Sequence, residues 1–386
     1  MNEYVRHLKQ QAKVIASRLG QLDLELTERC NNDCIHCCIN RPAGDTETEA
    51  REMTTGQVKD ILQQAADLGC LQVRFTGGEP LLRPDFEELY TFARRSGLRV
   101  LVFTNARLVT PRLADLFARI PPRVEVEVTA YGMRQDSYEA VTRAAGSFEQ
   151  FWRGLNLLWD RNVPFIVKSA LLPPNKPEMD EFEAWAKRIP WMARGPSYAM
   201  FFDLRSRRDS AGKNRLIESL RLSPREGVAV LARDEPGYSK EMVKFASKFM
   251  GRPGRQLFCC GAGRDICVDA YGCAHPCLGL RAPELMCAVA GTNGTGLSGA
   301  LAHFTALGEV QATNPEYLRR CALCFLKGLC DQCPAKSWSE HGTLDRPVEY
   351  LCQVAHAQAR HLGWLGKDEH GWEVRDWQRR IEMAAQ

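Results

Sequence analysis

With 386 residues, 45% of them apolar and 25% charged, the chain is longer than one ordinary domain and has the composition of a globular protein. No stretch approaches the roughly 18 to 20 consecutive apolar residues of a membrane span, so no membrane partner is expected. The net charge is only +4 and the basic residues gather only from Arg205 to Arg208, so nothing points to nucleic acid.

The opening MNEYVRHLKQQAKVIASRLG lacks the apolar segment and cleavage pattern of a signal peptide, which predicts a cytoplasmic, reducing location. Residues 1–20 are read as an N-terminal extension. QLDLELT (21–27) alternates as a strand and ends just before Cys30, and a second strand from about Leu71 runs through VRFT into Gly77-Gly78-Glu79-Pro80. Further apolar runs follow at 99–105, 124–130, 164–172 and 197–202, separated by amphipathic stretches such as 54–68, 84–96 and 148–161. Six β/α units with crossovers of this length predict a partial (β/α)6 TIM-like barrel over residues 21–205, with its site at the C-terminal strand ends. Lys168, inside an apolar strand, either points into that barrel or snorkels to solvent. Residues 206–254 read as a linker or bridging region, 255–360 as a small cysteine-rich module with a hairpin turn at Asp269–Gly272, and 361–386 as a helical tail. The tail's tryptophans, Trp364, Trp372 and Trp377, are expected to pack against the barrel.

Sixteen cysteines are the compositional anomaly, because a cytoplasmic chain gains little from disulfides. Cys30, Cys34, Cys37 and Cys38 lie near the start, Cys70 stands alone, and eleven fall between Cys259 and Cys352. Thiolates are soft ligands for zinc, copper(I) or iron-sulfur clusters. Three thiols on one loop suit a cubane that keeps one iron open, whereas structural zinc takes four closed ligands.

Cys30-x3-Cys34-x2-Cys37 after the first strand, followed by Gly77-Gly78-Glu79-Pro80 after the second, resembles the radical SAM superfamily over residues 20–205. The resemblance implies that Cys30, Cys34 and Cys37 hold a 4Fe-4S cluster whose fourth iron chelates the amino and carboxylate groups of S-adenosylmethionine. Cleavage of that cofactor would give a 5′-deoxyadenosyl radical. The likeness also implies that Gly77, Gly78 and Glu79 receive the cofactor's amino group, that His36 lies near its adenine, and that Thr104 and Asn105 are the family's polar strand-end pair. Thr129 and Arg143 occupy places where relatives carry a ribose- or carboxylate-contacting Ser and Arg; threonine at 129 departs from the commoner serine. Cys38 falls outside the spacing and reads as a packed thiol.

The later cysteines resemble a SPASM domain: Cys260, eleven residues to Gly272, four more to Cys277, then Cys321-x2-Cys324-x5-Cys330-x2-Cys333 and Cys352. That resemblance implies two auxiliary Fe-S clusters, one on Cys260, Cys267, Cys277 and Cys333, the other on Cys321, Cys324, Cys330 and Cys352. Two departures leave alternatives open. The x2 before Cys333 is shorter than the usual x3, and Cys259 beside Cys260 leaves the first ligand ambiguous; without Cys267, the first auxiliary cluster keeps an open iron. A pair of zinc ribbons is the alternative for the region, and Cys70, Cys273 and Cys287 read as plain thiols.

SPASM-bearing relatives imply a maturase of ribosomally made peptides, forming an oxidative thioether or carbon-carbon cross-link with a flavodoxin- or ferredoxin-type reductant. The other readings are formylglycine formation as in anaerobic sulfatase maturases, dehydrogenation of a small molecule, and a non-catalytic electron carrier or zinc scaffold. With only residues 1–20 ahead of the first strand, a separate leader-recognition protein or leaderless binding of the precursor peptide is expected. No Asp, Glu or Tyr is singled out as a catalytic acid or base.

Overall fold

The computed structural model describes residues 19–122, 124–233, 235–249, 254–260, 262–291 and 293–384. All but the last two residues of the expected N-terminal extension therefore lie outside the described residues.

Alternation along the strands decides which side of the sheet is covered. In β1 (Gln21–Thr27), β2 (Gln72–Gly77), β3 (Arg99–Thr104), β4 (Val126–Thr129) and β5 (Phe165–Ala170), one face carries Leu22, Leu24, Val73, Phe75, Val100, Val102, Val126, Val128, Phe165 and Val167. All are at most 1% exposed. The helices of the crossovers supply the cover. α1 (Thr55–Asp67) starts on a capping box of Thr54 and Gln57, which satisfies two amides that a helix start leaves without partners. α2 (Phe86–Arg95) buries Phe86, Leu89, Tyr90 and Ala93, the i, i+3, i+4, i+7 stripe of an amphipathic helix. α3 (Pro111–Arg119) has Pro111 at its first position and Thr110 as its cap, and lays Phe117 edge-on to Tyr90 with ring centroids 5.0 Å apart. α4 (Gln135–Thr142), α5 (Ser147–Asp160) and α6 (Met179–Ala186) follow, and the short β6 (Ser197–Ala199) closes the run.

β1 to β6 are all parallel, in chain order across the sheet. Beyond β1 the sheet continues with β7 (Asp265–Val268), parallel to β1 in the register Asp23 to Cys267, then β8 (Cys273–His275) and β9 (Cys287–Ala288), each antiparallel to its neighbour. The order across the sheet is therefore β9-β8-β7-β1-β2-β3-β4-β5-β6. The expected hairpin at Asp269–Gly272 is present. Asp269 Oδ1 accepts from the amides of Tyr271 and Cys273, each at 3.0 Å, and Gly272 takes φ +79°.

Two compact units divide the chain. The first holds the residues up to Ala199 together with 261–278 and Pro283–Thr305; the second holds 200–260, Gly279–Ala282 and 306–386. Much of the region read as a linker is helical in the second unit: Ala211–Leu220, Pro224–Leu231 on a Ser223/Glu226 capping box, and Glu235–Phe249. The core of this unit gathers Phe325, Leu326, Leu329, Ala355, Ala359, Leu365, Ile381 and Trp364, with Cys324, Cys330 and Trp377 packed against it. Trp364, expected against the barrel, is thus a core side chain of the second unit. Burying a side chain of this size contributes about 1.5–3 kcal/mol. No helix among the described residues is long and apolar enough to cross a membrane.

Candidate functional site

The loop after β1 is held at both ends by groups that would otherwise lack partners. A two-residue parallel bridge joins Arg29–Cys30 to Arg41–Pro42. The last turn of α4 leaves carbonyls open, and the loop fills them: Asp33 N–H donates to Thr142 O at 2.9 Å and Ile35 N–H to Val141 O at 3.0 Å. Arg143, which ends α4 in the left-handed region at φ +51°, donates from Nε to Asp33 O at 2.9 Å and pairs with the Asp33 carboxylate. On the other side the buried Arg107 donates to Asn31 O and to Asn32 Oδ1, while Gln150 Oε1 holds its remaining donors at 2.9 and 2.7 Å. Within the loop, Cys37 N–H donates to Cys34 O at 3.1 Å and Asn32 N–H to Cys30 Sγ at 3.4 Å. The ring of His36 lies 5.5 Å from that of Tyr131.

The glycines at the end of β2 are there for space. A Cβ on Gly77, at φ +129°, would stand 2.0 Å from Thr27 O, and one on Gly78 would stand 2.2 Å from Arg29 O. Without side chains the backbone lies flat on the continuation of β1, with Gly78 N–H on Thr27 O at 2.8 Å and Glu79 N–H on Arg29 O at 2.9 Å. The amides of Gly78 and Glu79 are thereby used inside the fold, and the acceptors here that suit an ammonium are the backbone carbonyls and the Glu79 carboxylate. Glu79, 1% exposed, accepts from Thr104 Oγ1 and Asn105 N–H at 2.8 Å each and from Leu81 N–H at 3.1 Å. Burial outweighs these donors and pushes its carboxyl up to about 7. Asn105 Nδ2 reaches back to Asn31 Oδ1 at 2.7 Å, so the ends of β2 and β3 and the cysteine loop form one hydrogen-bonded body. Thr129 ends β4 in register with Lys168.

The donor set suits a soft metal group. Burial, and after it the Glu79 carboxylate, pushes the Cys30 thiol far above its ordinary range, so the bare chain keeps a proton that a bound metal would displace.

In the second unit, Cys259, Cys260, Cys321, Cys324, Cys330, Cys333 and Cys352 line one cavity of about 410 Å³. Burial raises the Cys321 thiol to about 12 and Cys324 to about 11, and lifts Cys330 and Cys352 as well. Arg320 Nη2 donates to Cys352 Sγ at 3.3 Å. His356 Nδ1 lies 2.7 Å from Cys352 O while Nε2 accepts from Gly371 N–H at 3.0 Å, which assigns the proton to Nδ1. A Cβ on Gly371 would stand 2.7 Å from Cys324 Sγ, so glycine there keeps the sulfur's surroundings open. All four cysteines assigned to the second auxiliary cluster line this cavity, as do Cys260 and Cys333 of the first. Cys259 lines it equally, so the choice between Cys259 and Cys260 stays open. Cys267 and Cys277 belong to the other unit: Cys267 lies fully buried on β7 in register with Asp23 and His275, and Cys277 follows β8.

Residues 24–189 match the sequence profile of the radical SAM superfamily. This stretch is a radical SAM domain. Members of the superfamily use S-adenosylmethionine and a 4Fe-4S cluster. An AdoMet-dependent heme synthase of Methanosarcina barkeri is 26% identical over 82% of this chain and 92% of its own length. A mycofactocin maturase, MftC, of Mycolicibacterium smegmatis is 29% identical over 66% of this chain, a match that spans 63% of that relative's length. Among solved structures, anSMEcpe with bound AdoMet and Cp18Cys peptide superposes over 94% of this chain and 98% of its own with a TM-score of 0.58. Streptococcus suis SuiB bound to precursor peptide SuiA does so over 92% and 82% with a TM-score of 0.56. Both structures are 14% identical in sequence and carry the fold alone. This radical SAM chain thus has the α/β fold with a parallel sheet and a cysteine-rich C-terminal region, and it is an enzyme of that superfamily.

Arg107, Asn31, Asn32 and Gln150, which fix the cysteine loop, were not singled out in the sequence. Asn31 and Asn32 sit inside the cysteine motif and were legible as its polar filling; Arg107 and Gln150 carry no local signal.

Proposed function

We propose that the chain takes a hydrogen atom from a ribosomally made peptide and leaves it oxidised, as a thioether or carbon-carbon cross-link. Cys30, Cys34 and Cys37 would hold the 4Fe-4S cluster, and the carbonyls after β2 with Glu79 would face the cofactor's amino group. His36, Thr104, Asn105, Thr129 and Arg143 would shape its surroundings, Asn105 through Asn31 and Arg143 through Asp33. Cys321, Cys324, Cys330 and Cys352, with Cys260 or Cys259, Cys267, Cys277 and Cys333, would hold two auxiliary clusters. When bound, these groups supply the 5′-deoxyadenosyl radical and a sink for the electron that an oxidised product sheds. The carrying observation is the cavity ringed by seven thiols, a donor set beyond what cleavage of S-adenosylmethionine requires. The mycofactocin maturase relative supports a peptide substrate.

A second reading has its own support: the heme synthase relative aligns over 92% of its length, which favours a heme precursor as substrate. Anaerobic reconstitution separates the cases. The chain should take up about twelve irons and release 5′-deoxyadenosine with dithionite. A peptide encoded beside it should then lose two hydrogens by mass. Turnover of a porphyrin acid with no change in that peptide would replace the first reading by the second. A separate leader-recognition protein and a flavodoxin- or ferredoxin-type reductant complete the proposal.

A further inference from the structure

Strand register assigns side chains to the uncovered face of the barrel sheet. Asp23 pairs with Arg74, Arg74 with Leu101, Phe103 with Glu127, and Thr129 with Lys168. Cross-strand partners and second neighbours along a strand share a face, so all of these lie on the side opposite the buried valines and leucines. That side is open: Leu101, Phe103, Glu127, Thr129, Ile166 and Lys168 are all half-buried. A charged and partly apolar surface of this kind is complementary to a ligand that carries a charged head on an apolar body.

The charges there are layered. Arg74 Nη1 bonds Asp23 at 3.0 Å and Lys168 Nζ bonds Glu127 at 2.6 Å. In both pairs the carboxylate stands behind and the cation in front. The Asp23 and Glu127 side chains are 12% and 13% exposed, whereas Arg74 is 23% and Lys168 42% exposed. Glu25, further along β1, is 1% exposed. Among the described residues Arg74 Nε is buried without a hydrogen-bond partner. Both cations sit over the ring of Phe103, the Arg74 guanidinium carbon 4.9 Å and Lys168 Nζ 5.6 Å from its centre.

We propose that this face is the substrate's carboxylate subsite: Lys168 and Arg74 receive a carboxylate while its adjoining carbon skeleton lies on Phe103, Leu101 and Ile166. The buried carboxylates hold the two cations extended, so little ordering remains to be done when the anion arrives. The inference rests on the proposed radical chemistry and takes the uncovered face of the barrel sheet as the side that meets the substrate. It restricts the substrate to one that brings an acid next to an apolar group, whether the C-terminal carboxylate of a peptide or the side-chain acid of a small molecule.

The test uses the full reconstituted chain and two probes, N-acetylphenylalanine for a peptide terminus and 3-phenylpropionate for a free acid, each beside its uncharged amide, with phenethylamine as the cation. Binding is read by calorimetry and by the NMR signal of reductively methylated Lys168. Both acids should bind at least about tenfold more tightly than their amides, the ratio expected for one charge-assisted hydrogen bond, and should move the Lys168 signal. A preference for one acid identifies the source. Lys168→Met should lose that margin and Lys168→Arg should keep most of it, while the iron content of each variant reports folding. Equal binding of acid and amide, tighter binding of phenethylamine, or unchanged binding in Lys168→Met would overturn the proposal. Release of 5′-deoxyadenosine in the absence of these probes tests the radical reading separately, so either can fail without the other.

Discussion

Glu79 shows how a residue chosen by motif acquires a second task from its surroundings. The sequence offers it as a carboxylate for an ammonium; the structure also makes it the knot that ties β2 to Thr104 and Asn105. Its carboxyl is raised to about 7 in the fold, from an ordinary 4.5, chiefly by burial. The folded chain therefore binds more protons than the unfolded chain between those values, and stability falls as pH rises through that window, by roughly 3 kcal/mol in all. Glu79→Gln should flatten this slope in the cluster-free chain. Denaturant melts at pH 4.5, 6 and 8 would show it, and an identical slope in both proteins would refute it. Gly78 makes a sharper demand, because the obstacle to a side chain is a backbone carbonyl that cannot turn away. Gly78→Ala should cost about 1–3 kcal/mol and lower iron retention, seen as a depressed melting temperature and reduced absorbance of the reconstituted protein.

At the scale of elements, most of the barrel was legible because its strands alternate. LDLEL and VEVEV state which side is buried, and the observed strands fall within two residues of the expected starts. The charged members of the same strands, Arg74, Glu127 and Lys168, were written there too, but an alternating polar position reads equally as solvent-facing until register places it across from its partner. β7 was not legible as part of the barrel sheet. Its four residues lie more than 60 positions beyond β6, and nothing local in DICV distinguishes a strand beside β1 from a hairpin arm. The latch between α4 and the cysteine loop was equally hidden, since Asp33 and Arg143 meet across 110 positions. That latch is testable. Arg143→Ala leaves the Asp33 and Ile35 amides on the helix end but removes the guanidinium, so cluster loss under a chelator should quicken several-fold while the melting temperature moves by under about 1 kcal/mol equivalent, as expected for an exposed pair. Arg143→Lys should recover part of the lifetime; equal rates in all three proteins would leave Arg143 without a hold on the loop.

For the whole molecule, the Cys30, Cys34 and Cys37 set lies in the first compact unit and the Cys321, Cys324, Cys330 and Cys352 set in the second, so these two sets make separate demands on metal. The barrel has a continuous apolar layer from β1 to β5, covered by the helices of its crossovers. The core of the second unit instead runs up against its own cavity, with Cys324 and Cys330 packed on Phe325, Leu326 and Leu329. Cys321, Cys324, Cys330 and Cys352, whose thiols burial holds protonated, border about 410 Å³ of space and make few contacts across it. Removing iron should therefore loosen the second unit far more than the first. Hydrogen exchange on chelator-treated chain should show protection lost across 321–333 and Glu349–His361 and retained in β1 to β3. Cys330→Ala should reproduce that pattern with a loss of about four irons, whereas Cys34→Ala should lose a similar number and leave the second unit's exchange unchanged. In the double variant the iron losses should add, because sites without shared partners act independently. Exchange that collapses in both units on either substitution would show instead that one metal-bound body spans the chain, and the independence argued from the separate donor sets would be wrong.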